Sequence, residues 1–379
     1  MFKLIKIAFS IFILALLTLT QGCSTNSEKT TPLNITVNYY PLSLNNVTLI
    51  SADCASDSFC LAVGDNFSSQ KTQTSSYEIT FNVSKKSDVN LEALPQQSQV
   101  ITVSCIFNTQ TCVLAGQDLS NNTPLVLLTK DAGKSFFKIQ ISKSSGIIES
   151  SSCVTINYCM LVGYLGSSSS SSPFIAVFDP QSQQVVLKAF KLVGILTSIS
   201  CWALGSCLAV GSISNPGAPS TFFDVVCQSG TCQALTNLSN KKDAAVSVSC
   251  NFGTCWAAGL KYKSYNALGN VLGPPALFRS SNFGKTWQLV KTDGNQNGLL
   301  TSVSCNKTAC VAIGGSGVAP KLKSWLNVIT AKQSITKSIN PNALLYSVSC
   351  TSYACLAVGG MITGSNLIKP LVTLISAMS

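Results

Sequence analysis

The chain has no histidine, and among its 379 residues there is a single arginine, Arg279. The first absence excludes Ser-His-Asp and Cys-His catalysis and every histidine-ligated metal site. The second argues against nucleic acid, since arginine is the usual fork for phosphates and base edges and no lysine run compensates for it. Carboxylates are also scarce. The only glutamates are Glu28, Glu78, Glu92 and Glu149. Charged residues are 10% of the chain against 46% hydrophobic, the reverse of what disorder requires. Ser, Thr, Asn and Gln must therefore carry solubility. The formal charge is +11, which falls to +9 without Lys3 and Lys6 at the N-terminus. A mild lysine excess favours acidic partners such as anionic glycans or lipid headgroups.

The N-terminus reads MFKLIKIAFSIFILALLTLTQGC. Lys3 and Lys6 precede an apolar run from Ile7 to Leu19, too short for a comfortable membrane span and right for a signal peptide. Its end, Thr20-Gln21-Gly22-Cys23, resembles the lipobox of bacterial lipoproteins, in which the cysteine becomes the acylated N-terminus. Thr20 departs from that pattern, where the family favours leucine. The resemblance implies a signal peptide at 1–22, lipidation at Cys23, and a polar tether at 23–32. It also implies an exported, cell-envelope location, with Ser24 suiting the outer membrane and the lipid anchor as the sole membrane contact. Plain secretion with a nearby cleavage is the alternative.

Internal self-similarity dominates the rest. Seven segments share an alternating strand ending in cysteine, a short loop, a second cysteine and a small apolar strand ending in glycine. SVSCNKTACVAIG at 302–314 and SVSCTSYACLAVG at 347–359 are two of them. Successive first cysteines lie 51, 48, 48, 49, 55 and 45 residues apart, the period of a four-stranded propeller blade. Third strands follow, such as PLVLLT at 124–129 and PALFRS at 275–280, and fourth strands such as TWQLVK at 286–291. The seventh repeat stops after its third strand, PLVTLIS at 370–376, while NITVNYY at 34–40 has no blade of its own. The spacing thus predicts an all-β fold, a single seven-bladed β-propeller over 33–379 that the N-terminal strand closes as the outer strand of the last blade.

Of the 17 cysteines, fourteen fall into one pair per repeat: Cys54 with Cys60, Cys105 with Cys112, Cys153 with Cys159, Cys201 with Cys207, Cys250 with Cys255, Cys305 with Cys310, and Cys350 with Cys355. Cys227 and Cys232 form an eighth pair, and Cys23 is left over for the lipid. Zinc would need sets of four ligands, and each pair sits in a different repeat. No Cys-x-x-Cys supports redox catalysis. Structural disulfides imply an oxidising compartment.

Two third-to-fourth strand turns carry a further motif. Ser280-Ser281-Asn282-Phe283-Gly284-Lys285-Thr286-Trp287 and Thr129-Lys130-Asp131-Ala132-Gly133-Lys134-Ser135-Phe136 resemble the Asp-box (BNR repeat) of sialidase-like propellers, with Asn282 in place of Asp. In that motif the Asp or Asn caps backbone amides, glycine takes a positive φ, and the aromatic packs beneath. The other repeats lack the motif. The resemblance covers 34–379 and extends to propellers that assist photosystem II assembly and to sortilin-type receptors. It implies fold rather than activity. A sialidase clamps its substrate with three arginines and uses a tyrosine with a glutamate, and this chain has one arginine.

These observations favour a non-catalytic binding or scaffold module for a glycan, peptide or protein, with no cofactor. A glycan-processing enzyme with a non-standard site is the alternative, and two carboxylates converging in a cleft would distinguish it. Six inter-cysteine loops hold an aromatic (Phe59, Phe107, Tyr158, Trp202, Phe252, Tyr353), either packed on adjacent blades or forming a collar for a ligand. On the opposite face, Lys261, Tyr262, Lys263 and Tyr265, with Lys321, Lys323 and Trp325 of the next repeat, are candidates for an anionic or sugar ligand. The bland alternative there is a solvated loop.

Overall fold

The computed structural model describes residues 34–42, 45–66, 76–82, 90–95, 97–167, 170–213, 221–235, 243–251, 253–265, 271–290, 297–317, 322–330, 333–339, 342–363 and 367–378. The segments expected as signal peptide (1–22) and tether (23–32), with Cys23, lie outside them, as do Phe252 and Lys321.

Each repeat folds into one antiparallel sheet, with its strands running from the axis outward in chain order. Blade 1 comprises Val47–Ser56, Phe59–Asn66, Ser76–Phe81 and Asn90–Ala93. Blade 2 comprises Ser98–Cys105, Cys112–Asp118, Thr123–Thr129 and Phe137–Gln140, and blade 3 Gly146–Thr155, Tyr158–Leu165, Ser172–Phe178 and Val185–Ala189. Blade 4 comprises Gly194–Ala203, Ser206–Ile213, Thr221–Gln228 and Thr231–Leu235, and blade 5 Ala244–Asn251, Thr254–Leu260, Pro275–Ser280 and Gln288–Val290. Blade 6 comprises Leu299–Cys305, Ala309–Ser316, Lys323–Thr330 and Ser334–Ser338. Blade 7 draws three strands from the C-terminus, Ala343–Cys350, Cys355–Ile362 and Ile368–Met378. Its outer strand is Asn34–Pro41, paired with Ile368–Met378. The ring is therefore closed by the N-terminal strand, and no helix occurs among the described residues. The Leu260–Pro275 connection that holds Lys261 to Tyr265 carries a small ribbon, Ser264–Tyr265 paired with Val271–Leu272.

The core is a set of layers between neighbouring blades. Leu114, Leu125 and Leu127 of blade 2 pack on Leu61 and Val63 of blade 1, and the pattern repeats around the ring. Apolar residues on both faces of the second and third strands make this possible, so these strands read as continuous hydrophobic runs (LAVG, LVLL).

All eight disulfides form, and within each the Cα atoms are 3.9–4.0 Å apart. Seven link directly opposed residues of the inner hairpin, such as Cys153 and Cys159. In blade 4 Cys201, Cys207, Cys227 and Cys232 lie at one level across all four strands. The Cys227–Cys232 bridge thus ties the turn at the height where blades 2 and 5 carry Thr129 and Ser280.

The inner strands face a geometric problem. Each has an edge towards the axis and the next blade, and its N–H groups there have no sheet partner. The Ser-x-Ser-Cys pattern solves it. The N–H of each blade's first cysteine donates to the residue before the preceding blade's cysteine. Cys153 donates to Ser104 (3.0 Å), Cys201 to Ser152 (3.0 Å), Cys250 to Ser200 (2.9 Å), Cys305 to Ser249 (3.0 Å) and Cys350 to Ser304 (3.0 Å). Cys54 N–H donates to Ser349 (3.2 Å), and Cys105 N–H to Asp53 (2.8 Å), which completes the circle. A second ring lies two residues back, as in Val103 to Ser51 (3.1 Å), Val303 to Ser247 (3.1 Å) and Ala52 to Ser347 (3.2 Å). A bulge of one residue precedes this stretch in every blade, for example between Leu345 and Ser347. A one-residue shift turns a side chain to the other face, so the bulge aims both hydroxyls at the neighbouring blade.

Ser304→Ala leaves the Cys350 N–H without its acceptor and is expected to cost about 1–3 kcal/mol in chemical denaturation with the disulfides intact. The exposed Ser144→Ala serves as reference. Equal midpoints for the two variants would remove the ring from the list of stabilising contacts.

Candidate functional site

The channel on the axis is about 210 Å³ and is lined largely by the Ser and Thr hydroxyls of the inner strands. Asp53 is its single charged lining residue. Its carboxylate accepts hydrogen bonds from the N–H groups of Cys54 and Cys105 and from the Ser349 hydroxyl (2.7 Å), so it bridges blades 7, 1 and 2. Burial raises its pKa, and these bonds oppose the rise.

The two turns with the shared motif have matching hydrogen bonds. In blade 5 the Ser280 hydroxyl accepts from Gly284 N–H (2.9 Å) and Asn282 Oδ1 accepts from Thr286 N–H (2.9 Å). In blade 2 the Thr129 hydroxyl accepts from Gly133 N–H (2.9 Å) and Asp131 from Ser135 N–H (2.9 Å). Gly133 and Gly284 have φ of +93° and +84°, the left-handed region. The two aromatics differ. Trp287 is buried and its indole N–H donates to Asp224 (3.2 Å), whereas Phe136 packs half-buried beneath its turn with no such donor.

The inter-cysteine aromatics divide. Phe59 and Tyr158 pack against neighbouring blades. Trp202 stacks on Phe283 of the blade 5 turn at 4.9 Å. Phe107 and Tyr353 project into solvent, 68% and 80% exposed.

On the opposite face, Lys261 and Lys263 are exposed, and Lys323 is exposed at the start of its strand. Tyr262 N–H donates to Asp243 (2.9 Å), which fixes the base of the ribbon holding Tyr265. Trp325 is half-buried against Ala258, Leu277 and Leu300, so its ring forms part of the contact between blades 5 and 6.

Two grooves on the side of the inter-cysteine loops hold charge. Between blades 5 and 6, a cavity of about 520 Å³ is lined by Trp256, Arg279, Asn251, Asn306 and Lys307, with no acidic residue. Trp256 and Arg279 are directly opposed across the second and third strands, and the guanidinium lies 5.8 Å from the ring centroid. The two amides extend the groove's rim: Asn251 donates to Asn306 O (2.8 Å) and Asn306 to Thr351 O (2.8 Å). In sequence Arg279 is simply the sole arginine, within the third strand PALFRS; only strand register brings it to Trp256, the residue after Cys255. Between blades 1 and 2, a cavity of about 250 Å³ is lined by Glu78, Glu92, Phe59 and Lys134 among others. Glu78 and Glu92 face each other in register, so this groove does bring two carboxylates together. Burial, reinforced by the charges of Glu92 and Asp131, pushes the Glu78 pKa up to about 8. Burial also pushes Glu149 and Asp224 up to about 7.

No protein-family model matches the sequence, and no curated protein matches it either. Solved propellers do. The propeller domain of the Trilobed protease from Pyrococcus furiosus, which has an open velcro topology, superposes with a TM-score of 0.55 at 10% identity, over 86% of this chain and 95% of that one. The Pan2 WD40 domain of Neurospora crassa gives 0.54 at 8% identity, over 86% and 88%. Trypanosoma rangeli sialidase gives 0.44 at 11% identity, over 86% of this chain and 53% of that one, and carries no argument about sugar chemistry. The likeness is one of fold alone, with sheet closure here made by the N-terminal strand.

Glu78, Glu149 and Asp224 hold protons in the folded chain at pH values where the unfolded chain has released them. Stability should therefore fall as pH rises from about 4 to about 8, and level off above that. Asp131 and Asp179, lowered mainly by hydrogen bonds from Ser135 and Ser182, act in the opposite sense only below that window. Glu78→Gln and Asp224→Asn should flatten the slope in urea titrations at pH 5 and 8. A pH-independent wild type would contradict the assignment.

Proposed function

We propose that this chain is a non-catalytic binding module of the bacterial cell envelope, anchored through an acylated Cys23, that holds an anionic glycan in the groove between blades 5 and 6. The observation that carries the reading is the sole arginine lying over Trp256 beside Lys307, in a groove without an acidic lining residue. An indole face suits a sugar ring, and a guanidinium suits its carboxylate or sulfate. The eight disulfides belong to an exported, oxidising setting, and they hold the loops at this rim in place before a ligand arrives. The turns at Thr129–Phe136 and Ser280–Trp287 are read as Asp-boxes that stabilise their blades.

A glycan-processing enzyme is the less favoured reading. The carboxylate pair lies between blades 1 and 2 and the arginine between blades 5 and 6, so among the described residues no groove combines the two. A sialidase-like site needs both at once.

The test is a glycan array followed by calorimetry on the mature chain. Arg279→Ala and Trp256→Ala should each weaken binding of an acidic glycan about tenfold or more, while Lys263→Ala on the opposite face should not. Binding that survives Arg279→Ala unchanged, or that Lys263→Ala abolishes, would move the site elsewhere. Acylation of Cys23 is expected to appear as a lipid mass on the mature N-terminus, with Cys23→Ala released from the membrane fraction. A soluble wild type would point to plain secretion.

A further inference from the structure

Aligned on their disulfides, the third strands share one position packed between blades. It is Val126, Ile175, Leu277, Leu326 and Val372 in blades 2, 3, 5, 6 and 7, each at most 3% exposed. In blades 1 and 4 it is Glu78 and Asp224, 2% and 0% exposed. Each of these two carboxylates faces one of the blades whose outer turn carries the Ser/Thr-x-Asp/Asn-x-Gly motif.

At Asp224 the arrangement is half satisfied, because Trp287 supplies an indole N–H to Oδ2. At Glu78 the equivalent residue of the facing turn is Phe136, which has no N–H to give. Glu78 Oε2 is buried and has no hydrogen-bond partner. Its carboxyl lies so close to Gly133 that a Cβ there would sit 2.8 Å from Oε1. Glu78 also lines the 250 Å³ cavity beside the Cys54–Cys60 hairpin, so the residue with the orphaned, buried oxygen borders open space. The charged groups around it are Glu92 across the strands, Asp131 in the facing turn, and Lys134, which is exposed and makes no bond to Oε2. An unpaired buried acidic oxygen is destabilising unless a donor reaches it, and two further carboxylates make a cationic donor the favoured one.

We propose that the cavity beside Glu78 binds the ammonium or guanidinium end of a basic side chain from a peptide or protein partner, which supplies the hydrogen bond that Trp287 gives to Asp224. The site is independent of the Arg279 groove and stands or falls without it. Ion pairing to Glu78 displaces its proton, so binding near neutral pH releases a proton to the buffer.

The probe is a pentapeptide, Gly-Gly-X-Gly-Gly with blocked ends, in which X is lysine, arginine or norleucine, so that any charge lies on X alone. Calorimetry on the full mature chain at pH 7, in two buffers of different ionisation enthalpy, should show the lysine or arginine peptide binding with proton release. The norleucine peptide should bind at least tenfold more weakly. Glu78→Gln should weaken the basic peptide about tenfold and abolish the proton release. Phe136→Trp, which places an internal donor where Trp287 has one, should block the peptide. Equal affinity for lysine and norleucine, unchanged binding in Glu78→Gln, or undiminished binding in a folded Phe136→Trp chain would each overturn the proposal. Circular dichroism establishes that each variant is folded.

Discussion

The inner edge of seven sheets is the constraint on which this molecule depends. A ring of blades brings seven strands to the axis, each with backbone N–H groups turned away from its own sheet. Water in a narrow channel is a poor answer for donors that also face a neighbouring blade. Here the answer is a side-chain acceptor from the preceding blade, repeated at two levels. The upper level closes completely, with Asp53 standing in for one serine. The residue that donates at this level is a cysteine, and the same cysteine is tied covalently to the second strand of its blade. Blade-to-blade and strand-to-strand linkage therefore meet at one residue, seven times over. A hairpin that slipped by one residue would lose its bridge and its hydroxyl acceptor together.

Much of this was legible in the sequence because it is local and periodic. Cysteines one hairpin apart declare the inner strands, the period gives the blade, and an unmatched strand at the front against a missing strand at the back gives the closure. The serines were visible but read as the polar half of an alternating strand. Their role needs two blades about 49 residues apart and a bulge that redirects them, neither of which a single repeat reveals. Likewise the ribbon within Leu260–Pro275 has no counterpart in other repeats, so repetition offered no warning.

The functional grooves were harder to read for a related reason. Trp325 and the lysines around it looked like a ligand set because they are close in sequence, yet the indole is half-buried between blades. Arg279 and Trp256 are 23 residues apart and meet only through strand register. Glu78 and Asp224 could have been singled out by aligning third strands on the second cysteine of each repeat. That alignment exposes a carboxylate in a column of Val, Leu and Ile.

Scarcity of charge makes the few ionised groups informative. Lys138–Asp118 is the only ion pair among the described residues, at 2.8 Å, so the frame owes little to salt bridges. Packing, hydroxyl rings and disulfides carry it, and the carboxylates that do structural work, such as Asp53, Asp131 and Asp243, act by accepting hydrogen bonds rather than by pairing with cations. The two grooves on the loop side differ in sign: two carboxylates with Lys134 between blades 1 and 2, and cations without a carboxylate between blades 5 and 6. In a ring of seven these two interfaces lie on opposite sides of the axis, three blades apart one way and four the other. Between them runs a channel lined largely by hydroxyls, in which Asp53 is the single charged residue and is held by hydrogen bonds from three blades. A partner bearing both a basic side chain and an acidic sugar would engage the two grooves from one direction, and the field across this face would set its orientation before contact.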